Sequence, residues 1–205
     1  MAKTGYAENV FVNVPFDLQY KPLFESLIFT IIDCNFVPRC AKDHGDDDER
    51  LSKIVKLIRE CKYGIHDISR TEIDKDTKLP RFNMPLELGI FLGAKKFGGG
   101  NQSQKVCLVL DKEKYRYHAS TSDIKGLESD AHKDKPQELI AIVRDWLRNS
   151  SKRKTIPSGQ IIWKRYQQFR VDLPSICRKN KWSVKDPHFI DFKDAASIWL
   201  ENNIL

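Results

Sequence analysis

The chain has 205 residues, of which 40% are hydrophobic and 31% charged, with a formal net charge of +7. That length suits one sizeable core with an appendage, or two small domains, and the composition excludes a disordered or fibrous chain. The longest apolar runs, such as LIFTII at 27–32, are far too short for a membrane span, and the start MAKTGYAENVFVNV lacks both an apolar stretch and a small-residue cleavage site. No membrane partner is therefore expected, and the chain reads as cytoplasmic.

The first β-branched and aromatic run, NVFVNV at 9–14, reads as a strand stopped by Pro15. Residues 21–34 follow with apolar positions at 23, 24, 27, 28, 31 and 32, a helical period. A brief second strand is expected at 36–39. The acidic stretch DHGDDDER (43–50) reads as a loop feeding a helix over 49–62, and YGIHDI (63–68) as a third strand. A polar loop, 69–82, precedes an apolar helix that begins near Asn83. FGGGN (97–101) closes that helix and turns into a fourth strand, KVCLVL at 105–110. An irregular stretch, 111–135, and an amphipathic helix over 136–149 complete this part.

Repeated strand–helix alternation predicts an α/β domain built on a parallel sheet. The loops after the strands then gather at the carboxyl edge: 15–20, 69–82 and the one following Leu110. SSKRKTIPSGQ (150–160) reads as a linker. Helical pieces are expected beyond it, at about 160–170, 172–181 and 193–203. The expected division is thus 1–149 as an α/β domain and 150–205 as a basic helical extension. From residue 150 on, eleven Lys and Arg stand against five acids, so nearly all the net charge belongs to this tail. Interleaved aromatics leave nucleic-acid contact open, but a solvated charged face is the commoner cause of such a pattern.

Five cysteines at 34, 40, 61, 107 and 177 are odd in number and scattered, which suits reduced thiols better than a disulfide framework. Cys34, Cys40 and His44 lie close in sequence but have no paired CxxC or HxxxH beside them, so no metal site is expected. His66 reads as a packed strand residue, and Ser120 and Ser122 have no nucleophile elbow.

One residue stands out. In LPRFNMPLELGIFLGAKKFG (79–98), Glu87 interrupts an apolar helix, and an unpaired carboxylate costs several kcal/mol to bury. Asn83 reads as the N-cap, and Pro85 is tolerated in the first turn. Glu87 would then fall at the end of that turn, where the helix dipole stabilises it. Gly89 and Gly93 would allow another backbone or a ligand close by.

The succession VFVNVPFD, LIRECKYGIHDIS, RFNMPLELGIFLGAKKF and KVCLVL resembles one flavodoxin-like superfamily. It contains the nucleoside 2-deoxyribosyltransferases and the Toll/interleukin-1 receptor (TIR) domains. The matching features are the Pro15-Phe16 turn, Asp67-Ile68-Ser69 after the third strand, and the Asn-x-x-x-Glu-Leu-Gly helix start at 83–89. The sequence has Asn-Met-Pro-Leu where TIR domains usually carry Trp-Cys before the Glu, which is closer to the bacterial TIR-like branch.

The resemblance implies a three-layer, flavodoxin-like fold and a catalytic role for Glu87 in attack on an N-glycosidic bond. NAD or a related nucleotide would be substrate rather than cofactor, cleaved or cyclised in bacterial antiphage defence or signalling. A homo-oligomer or a defence partner protein would be involved. Nucleoside 2-deoxyribosyl transfer, nucleotide N-glycosidase activity and a non-catalytic nucleotide-sensing module are the alternatives. A neutral nucleoside would need a proton delivered to the leaving base, with Asp67 as first candidate. Phe16 could stack on a base or plug the sheet edge. Asp17, Asp67 and Ser69 could contact substrate or simply form turns. Arg70 could meet a phosphate, or pair with Glu72 or Asp74. Asn83 could contact substrate as well as cap its helix.

Overall fold

The computed structural model describes residues 5–41, 50–73, 78–116, 127 and 129–203. His44, the acidic stretch 43–49, Asp74, Ser120 and Ser122 lie outside the described residues. Five parallel strands form one sheet: β1 (Asn9–Asn13), β2 (Val37–Arg39), β3 (Tyr63–Asp67), β4 (Val106–Asp111) and β5 (Ser129–Ala131). Their order is β2-β1-β3-β4-β5, the flavodoxin-like order, with its topological switch between β1 and β3. The expected parallel α/β architecture is what the chain adopts. β5 falls within the stretch read as irregular, because Ser-Asp-Ala offers no β-branched signal. Pro38 is accommodated in β2 because that strand is an edge, where one missing amide leaves no gap in the ladder.

Strand alternation divides the core in two. Val10, Val12, Tyr63, Ile65, Leu108 and Leu110 face the layer of α1 (Lys21–Asp33) and α4 (Pro136–Ser151). Phe11 and Cys107 face the layer of α2 (Arg50–Arg59) and α3 (Asn83–Phe97). Gly64 lets α3 lie close to the sheet, since a Cβ there would stand 2.7 Å from the Phe91 ring. His66 is packed between Phe11 and Phe91, with ring centroids at 5.8 and 5.0 Å. Lys105 is only 1% exposed, and its ammonium donates to the carbonyls of Ile58 and Cys61 at the end of α2. A cation suits that negative helix end. Burial lowers the Lys105 pKa to about 8. All five cysteines are buried, and none of them forms a disulfide.

The C-terminal segment forms α5 (Gly159–Lys179) and α6 (Phe189–Asn203). The break expected near 171 is absent, and α5 runs on through Pro174. Ile162, Tyr166, Phe169, Leu173 and Cys177 keep one buried stripe in register along its whole length. That packing outweighs the one intrahelical bond a proline removes. These helices cover α1: Phe29 meets Tyr166, Phe169 and Trp199 at centroid distances of 5.5, 5.1 and 6.1 Å. α1 is consequently buried on both sides, including Glu25, Ser26, Thr30 and Asp33.

The tail's basic residues answer the acids of that helix. Arg165 pairs with Asp33 at 2.8 Å and Arg170 pairs with Glu25, while in the opposite sense Lys21 of α1 pairs with Asp186 of the tail at 2.5 Å. Arg153 lies 3.5 Å from Glu8 and stacks on Phe36. Arg153, Arg165 and Arg170 of the extension are thus tied to acids of the preceding part of the chain. Among the described residues, no helix is long and apolar enough to cross a membrane.

Candidate active site

The carboxyl end of β1 and the beginnings of α2 and α3 enclose a cleft of about 290 Å³. It lies at the crevice that a switch point opens in a sheet of this order. Pro15 and Phe16 form one wall, Met84 and Glu87 another, and Arg50, Arg81 and Asn83 also line it. Phe16, Asn83 and Glu87 are therefore brought together at one cleft.

α3 begins one residue earlier than expected. Phe82 is its N-cap, already in helical conformation, and its carbonyl accepts from the Leu86 amide at 2.9 Å. Asn83 is the first helical residue, exposed, and makes no capping hydrogen bond. This corrects its assignment as the cap. Glu87 is accordingly the fifth residue of the helix, past the turn whose amides could satisfy a carboxylate. It is 9% exposed, and no ion pair or hydrogen bond meets it among the described residues. Burial raises its pKa to about 7, against a smaller opposing effect of Arg50. A carboxylate near neutrality, buried on one side and open to a cleft on the other, can exchange a proton or face a cationic centre. Among the described residues, nothing lies within 4 Å of a Cβ added at Gly89 or Gly93, so no close approach by them requires these glycines.

Asn13, at the end of β1, fixes this arrangement. Its Nδ2 donates to the Met84 carbonyl at 2.9 Å and lies 3.0 Å from His66 Nδ1. An amide nitrogen only donates, so His66 Nδ1 accepts and the imidazole is neutral. Burial, and secondarily the charge of Lys105, push the His66 pKa down to about 3, which agrees with that state. One side chain thus ties β1 to β3 and to the first turn of α3. Asn13, Arg50 and Arg81 escaped sequence reasoning. A polar residue ending a β-branched strand was a usable signal for Asn13; the arginines carried none.

Asp67, Ser69 and Arg70 lie apart. Asp67 is fully buried, accepting from the Tyr20 hydroxyl at 2.5 Å and the Ser69 amide at 2.8 Å, with His132 Nε2 3.0 Å away. The bond to Ser69 closes the turn considered as its alternative role. Asp67 does not line the Glu87 cleft, so it has no route to a leaving base there. Ser69 is 1% exposed and Arg70 half-buried, and neither lines that cleft. Glu72 pairs with Lys112 and lies 3.9 Å from Arg116. Asp17 accepts from the Tyr20 amide and lies 3.7 Å from Arg81, so it acts at the rim of the cleft.

Phe16 is 39% exposed, and its ring packs edge-on against Phe24 at 5.5 Å. It also borders a smaller cavity of about 170 Å³ between α1 and the α5–α6 connection. Phe16 therefore closes an edge and also presents surface to the cleft.

No family model matches the chain, and no curated protein matches its sequence.

Proposed function

We propose that the chain cleaves or cyclises NAD or a related nucleotide at its N-glycosidic bond, with Glu87 as the catalytic carboxylate. The observation that carries this is the buried Glu87 carboxyl, which makes no ion pair or hydrogen bond among the described residues and opens onto a cleft at the sheet's switch point. A structural acid would be expected to hold an amide or a cation. Breaking a bond between ribose and a nitrogenous base develops oxocarbenium character at the anomeric carbon, and a fixed anion beside it lowers the barrier. Nicotinamide is positively charged in NAD and leaves neutral, so that reaction needs no general acid. This agrees with the absence of Asp67 from the cleft lining. Water or an internal hydroxyl then takes the vacated position on the ribose, giving hydrolysis or cyclisation. The resemblance to bacterial TIR-like proteins supports the same chemistry and a place in defence signalling.

The test is incubation of the chain with NAD, NADP and a nucleoside panel, with products identified by mass spectrometry. Release of nicotinamide that is lost in Glu87→Gln is the expected result. Release unaffected by that substitution, or no turnover in any assembly state, overturns the reading.

A further inference from the structure

Among the described residues, Glu87 shares its cleft with two cations. Arg50, at the start of α2, and Arg81, leading into α3, line the same space and are exposed, whereas Glu87 is buried. The cleft is therefore graded, with a carboxylate at its floor and two guanidinium groups at its mouth. Arg81 is held in place: its Nη1 lies 3.7 Å from Asp17 Oδ2, while Asp17 Oδ1 accepts from the Tyr20 amide at 3.0 Å. The cation at the rim is thereby anchored to the turn that carries Phe16.

We infer that the cleft selects ribosyl substrates bearing a 5′-phosphate over unphosphorylated nucleosides, with Arg50 and Arg81 as the specificity-determining residues. This rests on the assignment of Glu87 to the reacting carbon. Guanidinium groups match phosphate oxygens with paired, charge-assisted hydrogen bonds. The orientation follows from the sugar itself. The 5′-phosphate and the anomeric carbon lie at opposite ends of the ribose, so holding the phosphate at the mouth directs the anomeric carbon towards the floor. The base then has the Phe16 wall beside it, where an aromatic ring can receive it. Arg70, the cation the sequence offered for this task, does not line the cleft.

The experiment is calorimetric titration of the Glu87→Gln chain, in which turnover is removed, with adenosine 5′-monophosphate and with adenosine. The phosphorylated probe is expected to bind about tenfold more tightly or better, and the gap should narrow as salt is raised. In Arg50→Gln and in Arg81→Gln, each measured separately and then combined, its affinity should fall to that of adenosine, which stays unchanged. Equal binding of the two probes, no measurable binding of the phosphorylated one, or a gap that survives in the double variant overturns the inference. Glu87-dependent cleavage of nucleosides without phosphate preference would overturn it while leaving the N-glycosidase reading intact. Phosphate preference without cleavage of any substrate would do the reverse.

Discussion

Glu87 is the residue where the demands of folding and of chemistry are opposed. Its pKa is raised from its ordinary value to about 7 because the native state buries it. For an acid that means the native state prefers the protonated form. Its ionisation costs stability progressively as pH rises from about 4.5 to about 7, and the cost then levels off. A rise of that size corresponds to about 3 kcal/mol. Glu87→Gln should therefore be more stable than the parent at pH 8 by about that amount, with the difference vanishing near pH 4.5; urea melts across this range decide it. If the carboxylate stabilises an oxocarbenium-like centre, the same variant should lose about 10²-fold or more in turnover. Parent activity should also rise with pH through about 7. Equal stability of the two chains at pH 8 would show that Glu87 is solvated and refute its place at the cleft floor. The sequence showed that this carboxylate was out of place, because a lone acid in an apolar helix is visible in one dimension. It did not show that the helix starts at Asn83, since capping depends on a backbone angle at Phe82 rather than on residue type.

Among the elements, α3 offers the sharpest contrast between pattern and packing. Its two glycines read as places for a close approach, yet added methyl groups there meet no described residue within 4 Å. The glycine that packing does demand is Gly64, on the strand beneath, where the Phe91 ring leaves no room. Sequence alone could not separate these cases, because the constraint belongs to a neighbour distant in the chain. Gly89→Ala and Gly93→Ala should each stabilise the protein by about 0.5–1 kcal/mol through helix propensity, read as an upward shift in melting temperature. Destabilisation by either would mean that something approaches α3 there in solution, such as a second copy of the chain. α5 makes the complementary point. Its break was inferred from local composition, whereas a buried stripe at helical spacing carries the helix through Pro174. The strands β1 to β4 were legible because buried parallel strands announce themselves as dense apolar runs; Ser-Asp-Ala does not.

At the level of the whole molecule, the parallel sheet and its site-bearing edge followed from alternation alone, but the division at 149 and 150 meets a continuous core. α4 runs on to Ser151, and the cluster containing Val10, Leu27 and Leu139 continues into Phe169, Phe192 and Leu200. Composition marked the tail as basic without revealing that its arginines neutralise buried acids of α1. Those pairings are set by the fold and leave no local pattern. A chain ending at Ser151 would expose Phe29 and strip Asp33 of Arg165. Leaving a buried acid without its partner typically costs about 3–5 kcal/mol, a large share of a domain's total stability of about 5–15 kcal/mol. The truncated chain should therefore be insoluble or lack a cooperative melt. A soluble, sharply melting product would instead establish residues 1–151 as an independent domain.

The covering of α1 by α5 and α6 also sets a clock on biogenesis. Phe29 is made well before its ring partners Phe169 and Trp199. At translation speeds of about 5–20 residues per second, that interval is roughly ten to thirty seconds. Throughout it the outer side of α1 is an apolar surface without its cover, available to chaperones and to neighbouring nascent chains. Ribosome-stalled chains carrying the sequence only to residue 150 should be cut rapidly by protease within 21–33. Chains displaying the sequence past residue 200 should resist. Equal resistance in both would show that α1 finds a temporary cover before its own helices arrive.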